Sequence, residues 1–122
     1  MTEFYQGGER TYRFAALTVS AAAVIGRIQG PAGKIGRITG FEYNLTTGVT
    51  TAAAAITLDT NAGLTAPFAT TMPVAAINTG GAATLAQLKA GDELPADTIV
   101  ELASDAAAGA GAADVIITIN WY

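Results

Sequence analysis

The sequence predicts an all-β fold: an antiparallel β-sandwich or jelly-roll-like barrel with an extended N-terminal arm. Short stretches of strand-forming residues recur between turn signals at the spacing of all-β domains. The last stretch, Val115 to Tyr122, alternates so that Val115, Ile117, Ile119 and Trp121 make one wholly apolar face, while Ile116, Thr118, Asn120 and Tyr122 make a mixed one. Such a strand finishes inside a sheet rather than trailing into solvent. At 122 residues there is room for one core, so residues 1–10 are read as the arm and 11–122 as a single domain.

The elements follow in order. Gly7-Gly8 lies in the arm, which is expected to be ordered and therefore held by something. Thr11 to Val19 predicts a strand with Thr11, Arg13, Ala15, Leu17 and Val19 on one face and Tyr12, Phe14 and Ala16 on the other. A near repeat comes next: Gly26-Arg27-Ile28-Gln29-Gly30 and Gly36-Arg37-Ile38-Thr39-Gly40 flank the turn-forming Pro31-Ala32-Gly33-Lys34 and predict one hairpin. Its second arm continues with Phe41, Tyr43 and Leu45 facing one way and Glu42 and Asn44 the other, and glycines 36 and 40 permit a bulge. Further strands are predicted over Ala53 to Asp59, over Thr70 to Ile77 with Pro73 confining it to an edge or bulge, and over Thr98 to Ala103. Ala82 to Lys89 reads either as a short helix or as a lead into the next strand, and Ser104 to Asp114 as a long Ala- and Gly-rich loop.

Composition narrows function by exclusion. With no Cys and no His, the chain lacks disulfides, thiol nucleophiles, imidazole bases and the usual zinc and copper ligands. A net charge of -4 argues against direct nucleic-acid binding, which draws on a cation surplus. Charge is uneven, however: Arg10, Arg13, Arg27, Lys34 and Arg37 outweigh the acids before residue 46, and seven acids outweigh Lys89 after it. That opposition can orient the protein on a partner. The chain is 51% hydrophobic, only 13% charged, and has a mean hydropathy of +0.39. Much of this is Ala, Thr and Gly, and because small side chains build a thin core, burial of further surface between subunits is expected. The charge-free stretch from Thr60 to Leu88 is broken by Pro67, Pro73 and several glycines, so no membrane span is expected. Glu3 and Glu9 in the leading region argue against a secretory signal.

Motifs that suggest chemistry fail on their spacing. Gly30-Pro31-Ala32-Gly33-Lys34 lacks the first glycine of a phosphate loop, having Ile28 there, and Ile35 stands where the magnesium-binding hydroxyl belongs. Asp59-Thr60-Asn61-Ala62-Gly63 imitates the start of a calcium loop without its distal acid, and reads as an Asx-type turn. Asp92, Glu93, Asp97 and Glu101 have the types of a glycosidase pair but read as solvated strand ends. Ser20 and Ser104 have no His, and only Lys34 and Lys89 as bases. The expectation is a protein that is no enzyme, with no cofactor and no metal.

The string Leu88-Lys89-Ala90-Gly91-Asp92-Glu93-Leu94-Pro95-Ala96-Asp97-Thr98-Ile99-Val100, the Ala/Gly/Thr-rich strands and the closing Ile-Thr-Ile-Asn-Trp-Tyr resemble the head decoration, or cement, proteins of tailed bacteriophages. The resemblance implies a structural protein on the outer surface of the virion capsid, commonly a homotrimer, that binds the major capsid protein and stabilises the expanded shell. On that reading Phe4, Tyr5, Arg10, Arg13, Arg27, Lys34 and Arg37 are candidates for capsid contact, and Phe41, Tyr43, Trp121 and Tyr122 for the subunit interface. A rival reading is a carbohydrate- or receptor-binding jelly roll, such as a head-fibre base, which needs a cleft with exposed aromatics drawn from Tyr5, Tyr12 and Trp121. A third is a structural subunit of a tail or pilus-like assembly.

Overall fold

Among the described residues, eight strands pair as one long hairpin wound into two sheets. In the computed structural model, which describes residues 8–20, 22–61, 63, 68–84, 93–105 and 109–122, these are β1 (Gly8–Thr18), β2 (Ala22–Gln29), β3 (Gly36–Thr50), β4 (Ala54–Thr60), β5 (Phe68–Met72), β6 (Gly80–Ala82), β7 (Ile99–Asp105) and β8 (Ala110–Trp121). First pairs with last, second with seventh, third with sixth and fourth with fifth, all antiparallel. Successive pairs fall in alternate sheets, and the added pairings β3–β8 and β4–β7 knit them into the orders β1-β8-β3-β6 and β2-β7-β4-β5. That wiring is the jelly roll, two four-stranded antiparallel sheets packed face to face.

The core is the alternation of these strands turned inward. On β8, Ala113, Val115, Ile117, Ile119 and Trp121 are buried, and β3 supplies Ile38, Phe41, Leu45 and Val49. The second sheet supplies Ile28, Ala54, Ile56, Leu58, Phe68, Met72, Val100 and Leu102. Phe41 and Phe68 meet across the sandwich with ring centroids 5.5 Å apart and a 38° tilt, a favourable offset geometry. β8 lies between β1 and β3, so the interior position expected of the final strand is found.

Four expectations are corrected. The near repeat is not a hairpin: a turn does form, with Lys34 N–H donating to the Pro31 carbonyl at 3.2 Å and Gly33 at φ 72°, but β2 enters one sheet and β3 the other. The reason is Trp121, whose ring fills the space beside Gly30 and Gly36, where a Cβ would stand 2.4 and 2.6 Å from the indole. The two arms therefore part around a side chain rather than pairing. Second, Leu17 faces inward with Tyr12 and Phe14, because β1 is bulged between Phe14 and Leu17. Ala16 takes φ 50° there and its N–H donates to Asp114 Oδ1 at 2.8 Å, and the extra residue resets the alternation. Third, strand rather than loop occupies Ser104–Asp105 and Ala110–Asp114. Gly111, at φ 152°, is packed so closely that a Cβ would lie 2.8 Å from Val19 Cγ2. Fourth, residues 8–10, assigned to the arm, open β1, and β5 stops at Met72 before Pro73. The bulge permitted by the glycines is present as a register shift between Ile38 and Gly40, and β5 is an edge strand. The rest of the arm, and the helix-or-strand alternative for most of Ala82 to Lys89, lie outside the described residues.

Two substitutions test this packing. Gly36→Ala drives a methyl into the Trp121 ring and against Ile119, and is expected to cost about 1–3 kcal/mol, read by denaturant unfolding followed through the fluorescence of this single tryptophan. Thr60 is 5% exposed and its hydroxyl has no hydrogen-bond partner among the described residues. Thr60→Val removes an unsatisfied group and is expected to raise stability by about 1 kcal/mol, measured as an increase in Tm.

Candidate functional site

The strand directions decide which predicted residues come together. β1 starts, β2 ends, β3 starts and β8 ends at one end of the sandwich, which is closed by Trp121. The indole is 3% exposed and its Nε1–H donates to Tyr12 Oη at 2.8 Å. Around it the Pro31 to Ile35 connection is tied down twice: Ile35 and Tyr122 exchange backbone hydrogen bonds of 2.9 Å, and Gly36 and Leu94 exchange bonds of 2.9 and 2.8 Å. Gly33 N–H also donates to Asp97 Oδ1 at 2.9 Å. This end carries Lys34, Arg37 and the exposed Ile35 and Tyr122, and Arg10 and Arg27 lie close to it on β1 and β2. Phe4 and Tyr5 lie outside the described residues.

Its carboxylates have structural work. The Glu93 carboxylate accepts from the Tyr122 hydroxyl, Glu9 from Thr39 at 3.3 Å, and Glu101 from Arg27 at 3.2 Å. Lys34 and Arg37 make no ion pair with a described residue. The predicted hairpin would have set Arg27, Lys34 and Arg37 on one ribbon; instead Arg27 and Arg37 sit on different sheets, on opposite outer faces.

The proposed subunit-interface residues divide. Phe41 and Trp121 are 1% and 3% exposed, so they belong to the core of this domain and offer no surface to a neighbour. That burial also removes Trp121 from any exposed aromatic cleft. Tyr43 is half-buried over Gly81 of β6, and Tyr122 is 51% exposed. Ser104 is likewise structural, its hydroxyl donating to the Val19 carbonyl at 2.8 Å in the interior.

A feature that the sequence reading missed lies on the outer face of the first sheet. Ile116 pairs with Arg13 on one side and Glu42 on the other, and Asp114 pairs with Asn44 in the next outward-facing row. With Tyr43, these residues line a depression of about 280 Å³. Asp114 holds the β1 bulge through Ala16 and reaches Arg13 at 3.7 Å. The row above is self-satisfied: Thr11 and Thr118 hydroxyls lie 3.4 Å apart, and Thr39 bonds Glu9 and the Thr118 carbonyl. The side chains of Glu42 and Asn44 have no such partner among the described residues. Alternation alone places Glu42 and Asn44 on one face, but nothing in the sequence sets Arg13 opposite them.

Comparison of the chain with protein-family models, with curated proteins and with solved structures gives no match. What the fold and surface define is a jelly-roll domain.

Burial raises the Tyr43 phenol above its ordinary value of 10.0. The folded chain therefore keeps that proton at a pH where the unfolded chain releases it, so the contribution is intact below about pH 10 and is lost as the pH rises through the folded value. Stability measured by denaturant is expected to fall less steeply above pH 10 in Tyr43→Phe than in the parent.

Proposed function

We propose that this chain is a structural virion protein that binds the outer surface of a tailed-phage capsid and stabilises the expanded shell. The observation that carries the reading is the Trp121 end: Lys34 and Arg37 stand beside the exposed Ile35 and Tyr122, at the end where β1 starts. An aromatic anchor flanked by cations is the kind of surface that seats on an acidic protein partner. The connections there are cross-braced by backbone hydrogen bonds, so little order is lost on docking.

Stabilisation follows from linkage. A ligand that binds only the expanded shell lowers its free energy by about 2.7 kcal/mol per site at a hundred times Kd. Three weak contacts engaging together in a trimer would multiply that by avidity. Tyr122 then serves the capsid or a neighbouring subunit, whereas Phe41 and Trp121 keep the end rigid.

Co-sedimentation with shells of the cognate major capsid protein tests the reading. The chain is expected to pellet with expanded shells and not with unexpanded ones. The double charge reversal Lys34→Glu, Arg37→Glu is expected to weaken binding about tenfold or more with the fold retained by circular dichroism. Failure of the parent chain to bind either shell overturns the proposal.

A further inference from the structure

We infer that the depression over Ile116 is a binding site for a single sugar unit, free or at the end of a glycan. Three adjacent strands build it. β1 and β3 lie on either side of β8, so the backbones of Arg13 and Glu42 stand about 10 Å apart, two strand spacings, with Ile116 between them as an apolar floor. Asp114 and Asn44 close one side. Beyond β3, the edge strand β6 consists only of Gly80, Gly81 and Ala82, which leaves the Glu42 and Asn44 side low.

The donor and acceptor set selects the ligand. Arg13 is donor-only, Glu42 and Asp114 are acceptor-only, and the Asn44 amide is both. A neutral molecule bearing several hydroxyls satisfies all of them, because each hydroxyl both gives and accepts, while its C–H surface rests on Ile116. A simple anion would meet Glu42 and Asp114, and a simple cation would meet Arg13, so either faces like charge. The Arg13 side chain is 70% exposed and its 3.7 Å approach to Asp114 is loose, which leaves most of its donors for a ligand. The neighbouring threonine row satisfies its hydroxyls across the strands; in the row of Ile116, Glu42 has no such contact among the described residues.

This inference stands apart from the capsid reading. The depression lies on the outer face of a sheet and not at the Trp121 end, so a chain seated by that end keeps it in solution. Its test needs no capsid.

Amide chemical-shift mapping of the folded chain is run with glucose, galactose, mannose, N-acetylglucosamine and rhamnose, and the intact protein is applied to a glycan array. The expected result is a saturable shift confined to Arg13, Glu42, Asn44, Asp114 and Ile116 with at least one sugar, or an array signal. Glu42→Ala is expected to weaken it about tenfold or more, while Glu93→Ala at the Trp121 end leaves it unchanged. Both variants are verified as folded by their amide spectra. Blank titrations together with a blank array overturn the inference, as do shifts centred elsewhere. Glycylglycine shifting these residues when no sugar does would also overturn it, by assigning the opposed charges to a zwitterion.

Discussion

The structure depends on a strand that is last in the chain and central in its sheet. β8 is hydrogen-bonded to β1 on one side and β3 on the other, and its inward face from Ala113 to Trp121 is buried throughout. Neither neighbour reaches its place without it, because β1 and β3 share no ladder of their own. Most pairings in the fold join residues far apart in sequence, as Gly8 with Trp121, while the innermost pair, β4 and β5, brings Leu58 to the nearer Phe68. Such topology forms late and cooperatively, since loop closure must precede the contacts that reward it.

Small residues make room for the few large ones. Trp121 lies over Gly30 and Gly36, Phe14 over Gly26, and Tyr43 over Gly81. In each case an aromatic ring occupies the volume that a Cβ would claim, so glycine and ring act as one packing unit. The Ala- and Gly-rich composition is therefore not a sign of a loose core. Truncating a buried indole of this kind costs on the order of 3–5 kcal/mol, and here it would also release Tyr12, its hydrogen-bond acceptor.

The same wiring distributes charge. Arg27 is drawn to Glu101 across β2 and β7, and Arg13 to Asp114 across β1 and β8. Both are exposed pairs, and such pairs contribute little to stability; their effect is to determine which cations remain for partners. Lys34 and Arg37 are left beside Tyr122 at one end, and Glu42 and Asn44 are left over Ile116 on one face. Each candidate site thus includes side chains without an ion pair to a described residue, Lys34 and Arg37 at one and Glu42 at the other, beside residues that the packing does use.

Much was legible in the sequence, for a local reason. Period-two alternation determined the faces of β3 and β8, and Pro73 marked the edge strand, because side-chain direction in a strand is a property of consecutive residues. The turn at Pro31 to Lys34 was equally local. Which strands that turn joins was not: the resemblance of the Gly26 and Gly36 segments suggested pairing, and the distant Trp121 prevented it. The bulge at Ala16 was hidden for the same reason, since it rests on a carboxylate 98 residues away. So were the depression and the fate of Phe41 and Trp121, which depend on strand order. The sequence by itself determined an all-β chain, the faces of β3 and β8 and its turn at Pro31 to Lys34; only the tertiary structure decided which residues meet, because hydrogen bonds between strands and packing between sheets join segments whose separation along the chain carries no record of the contact.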